Sequence, residues 1–110
     1  MEISRDIDAP VAALLSQDER VRDVAADELG DIIEHHRGRT SLQLQSVIDA
    51  LGAALEIESS QLVVESMLNA ISKAKYHGLP LQLPLAIVRR KLRSCEGTAI
   101  EHAKYILEGA

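Results

Sequence analysis

Val21, Val24, Ala25, Leu29, Ile32, Ile33 and His36 recur at steps of three and four, a spacing that gathers them on one side of an α-helix over 18–36. Asp23, Asp27, Asp31 and Glu34 keep the same rhythm on another side. The predicted helix therefore carries a row of carboxylates facing away from its apolar seam.

The helical period continues along the chain. Val11, Leu14 and Leu15 mark a short first helix at 9–16, with Asp8 as N-cap and Pro10 in the first turn. Asp18 caps the second helix, which ends near His36 before Gly38. Thr40 or Ser41 starts a third over 41–56, with Leu44, Val47, Ile48, Leu51 and Leu55 inward. Glu58-Ser59-Ser60 opens a fourth running to Tyr76 along Val63, Val64, Met67, Leu68, Ile71 and Ala74, and His77-Gly78-Leu79-Pro80 closes it. A fifth spans 83–95 with Leu85, Val88, Leu92 and Cys95, where Pro84 is either a first-turn residue or a kink. A short sixth starts at Glu96-Gly97-Thr98 and carries Ala99, Ile100, Ala103, Ile106 and Leu107. No period-two alternation competes with this reading. Gly30 and Gly52 fall inside helices, where glycine costs about 1 kcal/mol against alanine, and read as close-packing positions.

A shift of 39 residues lays Val24, Ala25, Leu29 and Ile32 over Val63, Val64, Leu68 and Ile71, and a second such shift lays Val64, Met67 and Leu68 over Ala103, Ile106 and Leu107. The expected architecture is one all-α domain over 1–110, a short α-solenoid of three antiparallel helical hairpins at 9–36, 41–76 and 83–108. The alternative is a plain six-helix bundle. The stretch ALLSQDERVRDVAADELGDI resembles one unit of the HEAT-repeat family, with Leu14, Leu15, Asp18, Val21, Arg22, Ala25, Leu29 and Gly30 matching its pattern in order. The third unit lacks the Val-Arg pair. The resemblance implies the fold and transfers no activity.

Composition narrows the function classes. With 46% hydrophobic and 26% charged residues the chain folds rather than remaining disordered. It has no Trp, no Phe and only Tyr76 and Tyr105, so its core is aliphatic, and stacking platforms for bases or sugars and aromatic cages are disfavoured. Cys95 is the single cysteine, which excludes an intramolecular disulfide and a cysteine-based zinc site and fits a reducing compartment. MEISRDIDAP lacks the basic start and apolar run of a secretory leader, and no uninterrupted apolar segment is long enough to span a bilayer. A cytoplasmic protein that makes no use of the membrane is expected.

Three clusters invite chemistry. Glu34-His35-His36 and Glu101-His102 offer metal-ligand types, and HEAT-like metal hydroxylases use repeated His-Glu pairs. Here the order is reversed and the second repeat supplies Ala74-Lys75, so no metal is assigned and the histidines are read as helix-end residues meeting the negative dipole. Arg89-Arg90-Lys91 with Arg93 forms the one basic cluster. Residues 1–36 hold 10 acidic and 3 basic side chains, against 7 acidic and 9 basic in 37–110, so the cluster reads as a solvated face or as internal counter-charge for the acidic half rather than as a nucleic-acid site. Cys95 lies on the seam as an inert thiol. No phosphate loop, nucleophile elbow or His-Glu-x-x-His helix occurs, so no catalytic residue and no cofactor is assigned.

The leading expectation is a non-enzymatic interaction module for a basic protein partner, as an immunity-type inhibitor or an adaptor. In the family's geometry Asp23, Asp27, Asp31 and Glu34 stand beside Gln61, Glu65, Asn69 and Ser72 at an offset of 38, and the binding face is drawn from these two rows. A HEAT-like enzyme or lyase acting on a protein or pigment is the alternative, with a nucleic-acid module behind it. A solenoid end also offers a homodimer face.

Overall fold

The computed structural model describes residues 5–109; residues 1–4, part of the stretch in which a leader is sought, lie outside them. Six helices follow in order: α1 Arg5–Ala13, α2 Glu19–Glu34, α3 Ser41–Ile57, α4 Gln61–Tyr76, α5 Gln82–Lys91 and α6 Thr98–Leu107. A 3-10 turn at Leu92–Ser94 precedes α6, and no strand occurs among the described residues. The fold is all-α, as expected, and the helices pair as three hairpins, α1–α2, α3–α4 and α5–α6.

The hairpins stack in two layers. α2 packs on α4 and α4 on α6, while α1 packs on α3 and α3 on α5. The molecule is 18 Å through its thinnest direction, which suits two helix layers at 8–10 Å spacing. Asp23, Asp31 and Glu34 meet Ser66, Lys73 and His77 in the same chain order, so α2 and α4 run parallel and each hairpin reverses the chain.

Caps fix where the helices start and stop. Asp18 accepts the Arg20 N–H at 2.9 Å, and Thr40 and Gln43 exchange side-chain and backbone hydrogen bonds as a capping box. Ser60 caps α4 through the Val63 N–H. At the other end of α4, the N–H of Gly78 bonds to Lys75 and that of Leu79 to Ala74, a Schellman closure that needs the left-handed φ of 74° at Gly78.

The layers bury one continuous aliphatic core, with Leu29, Ile33, Leu51, Leu55, Met67, Leu68, Ile71 and Ala103 sealed from solvent. α4 lies at its centre. Its exposed positions occupy one strip between the α2-facing and α6-facing flanks.

Several boundaries differ from expectation. α1 begins at Arg5, not near residue 9, so Asp8 is internal and not a cap, and Pro10 lies inside the helix. The cause is Ile7, buried at four and seven residues before Val11 and Leu14, which extends the inward row backwards. α2 stops at Glu34, leaving His35 as its C-cap and His36 outside. α5 tightens into the 3-10 turn after Lys91, with Pro84 in its first turns, so Cys95 follows the helix and is not part of it. Within α2 the seam is rotated: Val21 and Val24 are 39% and 51% exposed, and Ala25, Ala26, Leu29, Gly30 and Ile33 are buried.

Gly30 and Gly52 both mark close helix contact, at different tightness. A Cβ built at Gly30 would lie 3.3 Å from the Ala70 Cβ, whereas one at Gly52 would meet Pro84 at an ordinary 3.5 Å. Gly52→Ala is therefore expected to stabilise the fold by about 0.5–1 kcal/mol, since it restricts the unfolded chain and favours helix. Gly30→Ala gains less because α4 must yield. Paired urea titrations check this, and equal effects at the two sites would contradict the packing.

Candidate functional site

The rotation of α2 decides where its carboxylates lie. With Leu29 and Ile33 inward and Gly30 against Ala70, Asp23, Asp27, Asp31 and Glu34 run along the seam between α2 and α4 instead of facing away from the packed side. Each of three has a neighbour across the seam. The Ser66 hydroxyl donates to Asp23; the Lys73 ammonium stands 3.8 Å from Asp31; the His77 Nε2 stands 3.6 Å from Glu34. Asp27 has no hydrogen-bond or ion-pair partner among the described residues. Its carboxyl is held above the usual value by partial burial first and by repulsion from Asp23 and Asp31 second, with only Lys73 opposing.

The partner row differs from the expected one. Ser66, Ala70, Lys73 and His77 form the flank of α4 that meets α2. Gln61 donates its amide to the Ser94 carbonyl at 3.0 Å, which turns it to the opposite flank, towards α6. Glu65 shares that flank by helical spacing, and Asn69 lies on the outer strip, seven residues from both Leu62 and Tyr76, which are exposed. All three are half-buried. Gln61 and Glu65 are thus separated from the α2 carboxylates by the outer strip of α4, on which Asn69 lies.

At the carboxyl-terminal end of the seam, Glu34, His35, His36, Arg37 and His77 line an open cleft of about 570 Å³. The His36 and His77 rings lie 4.7 Å apart. The ring nitrogens of His35 and His36 meet the carbonyls of Asp31 and Ile33, so both histidines finish the helix end. His102 lies on α6, across α4 from this cleft. Among the described residues no group of three or more His, Cys, Asp or Glu side chains is placed to hold a metal ion.

The basic cluster is mostly solvated, and its two contacts go to residues of α3 and its end, not to the acidic amino-terminal third of the chain. Arg90 pairs with Glu56, and Lys91 donates to the Glu58 carbonyl. Arg89 and Arg93 are exposed and have no partner among the described residues. Cys95 is buried, its thiol meets the Lys91 carbonyl at 3.1 Å, and burial pushes its pKa up against the pull of Lys91. No helix of the described residues is long and apolar enough to cross a membrane.

Arg22 and Glu58 form a feature that the apolar spacing does not disclose. Arg22 Nε reaches Glu58 Oε1 at 2.7 Å and its second amino group reaches Oε2 at 3.0 Å, while the remaining arm donates to the Ser16 carbonyl at 2.9 Å. Ser60 adds its N–H to Oε2 at 3.1 Å. One bidentate pair thereby joins the turn of the first hairpin to the turn of the second. Beside it, Leu14, Leu15, Ala54 and Ile57 complete a cavity of about 480 Å³.

Compared with known proteins, the chain matches no family model, no curated protein and no solved structure.

Proposed function

We propose that this chain is a HEAT-like interaction module that binds a basic protein partner across the α2–α4 seam, without catalysis, in the manner of a cytoplasmic immunity-type inhibitor or an adaptor. Asp27 carries the reading: a carboxylate crowded by two others, with no ion pair of its own among the described residues and only Lys73 to offset them, is completed by an arginine or lysine supplied from outside. Asp23, Asp31 and Glu34 extend the negative row, and Asn69 on the outer strip, with Gln61 and Glu65 at its far border, is where a broad partner would reach. Fixed carboxylates on rigid helices cost little reorganisation on binding, and their summed field speeds encounter with a basic surface.

The test is affinity capture from the native host with the wild-type chain and with the Asp27→Lys, Asp31→Lys double variant. The expected result is a basic captured protein whose association slows as salt rises and whose affinity falls at least about a hundredfold on the double reversal, comparable to truncating close charge pairs at interfaces. Arg93→Glu, remote from the seam, is expected to leave that affinity unchanged. Retention of the partner at full affinity by the double variant, with loss on Arg93→Glu, overturns the reading.

A further inference from the structure

The stack of hairpins has two outer faces, and on each the polar covering that terminal units of a stacked-repeat protein use against further stacking is broken by aliphatic side chains. On α2 the flank opposite α4 presents Val21, Glu28 and Ile32, with Val24 beside them 51% exposed. On α1 the flank opposite the Asp6–Arg39 pair presents Asp8 and Val11. At the other end, α6 turns Ile100, Lys104 and Leu107 away from the flank where Lys75 meets it. On α5, Leu85 and Arg89 lie opposite Pro84 and Lys91, which meet α3. Ile32, Val11, Ile100, Leu107 and Leu85 are only partly buried.

The two faces are complements. Each has a half-exposed aliphatic centre on both layers. The amino-terminal face carries the carboxylates Asp8 and Glu28, and the carboxyl-terminal face carries Arg89 and Lys104, all four exposed and without an ion-pair partner among the described residues. The parallel packing of α2 on α4 and of α4 on α6 already shows how one hairpin extends the layers of another.

We infer that the amino-terminal face of one copy docks on the carboxyl-terminal face of a second copy, continuing the two helix layers head to tail. Such an interface is heterologous: it uses different surfaces on the two copies, so it leaves a free face at each end and lets the assembly grow unless it closes into a ring. It is independent of the seam carboxylates and needs no other protein.

The purified chain is followed by sedimentation velocity from micromolar to millimolar concentration, at low salt and at 1 M salt, where the Debye length shrinks to about 3 Å. The expected result is mass that rises with concentration beyond a dimer and rises less at high salt. Glu28→Lys blocks one face and Arg89→Glu with Lys104→Glu blocks the other; each variant is expected to weaken self-association at least about tenfold while keeping its helical circular dichroism. Mixing the two blocked proteins leaves one unaltered face on each and is expected to restore association that neither shows alone. A chain that stays monomeric at millimolar concentration and low salt overturns the inference. So does a dimer that one face's variants abolish and the other's leave intact, which marks a two-fold contact. Loss of partner capture on Asp27→Lys with Asp31→Lys, without change in self-association, keeps this inference separate from the seam.

Discussion

Leu68→Ala is expected to lower the stability of the fold by about 2–5 kcal/mol, a large share of the roughly 5–15 kcal/mol that holds a small domain folded. Leu68 is fully buried on α4, the helix that contacts α2, α3 and α6, so the space left by its side chain opens where three elements converge and none can close it alone. Leu29→Ala belongs to the same range, since Leu29 is sealed between α2 and the core. Val24→Ala is the informative contrast. Val24 shares the helical spacing of Leu29 in the sequence but is 51% exposed, so its truncation is expected to change stability by no more than about 0.5 kcal/mol. Urea unfolding of the three variants checks the order, and a loss at Val24 equal to that at Leu68 would mean that α2 is turned otherwise than described.

That contrast shows how far the sequence goes. The period of apolar residues identifies α3 and α4 closely, because Val47, Ile48, Leu51 and Leu55, and Val63, Met67, Leu68 and Ile71, leave no rival inward direction. The caps at Asp18, Thr40 and Ser60 are equally legible, since each places a hydroxyl or carboxylate just ahead of an apolar run. α2 misleads for a physical reason. Three of its five buried residues, Ala25, Ala26 and Gly30, are small and weigh lightly in hydropathy, while the larger Val21 and Val24 draw the eye to a surface. The rotation that follows moves the acidic row into the α2–α4 seam.

The partner row was harder to read. Sequence self-similarity lines up positions 39 apart, but packing pairs Asp23 with Ser66, Asp31 with Lys73 and Glu34 with His77, at offsets of 43, 42 and 43. Neighbouring parallel helices in a stack are shifted along their axes, and that shift depends on side-chain size at the contact, here on Gly30 meeting Ala70. A row of Ser66, Ala70, Lys73 and His77 at steps of three and four is present in the sequence, yet nothing local says that it faces α2. Arg22 and Glu58 are 36 residues apart and belong to different hairpins, so their pairing becomes visible only once the turns are stacked.

Glu58→Gln is expected to cost about 2–3 kcal/mol at neutral pH, because the amide would turn N–H donors towards Arg22 and the Ser60 N–H and leave buried groups unpaired. Glu58 is 4% exposed. Burial pushes its carboxyl up, but the Arg22 guanidinium, with the backbone N–H groups of Ser60 and Ser59, outweighs that and holds it below the ordinary 4.5. The folded state therefore gives up this proton more readily than the unfolded chain does. Its contribution is complete above the unfolded value and drains away as pH falls through the ordinary glutamate range towards the lower folded value. Asp27 acts with the opposite sign: its raised pKa means that its ionisation opposes folding at neutral pH, and acid relieves that opposition as it protonates. The raw acid profile of the wild type mixes the two. Subtracting the unfolding free energy of Glu58→Gln from that of the wild type at each pH isolates Glu58, and the difference is expected to be flat from pH 7 down to about 5 and to shrink steadily below it. A difference that stays constant into strong acid would show that the Arg22–Glu58 pair holds the two hairpin turns by shape alone and not by charge.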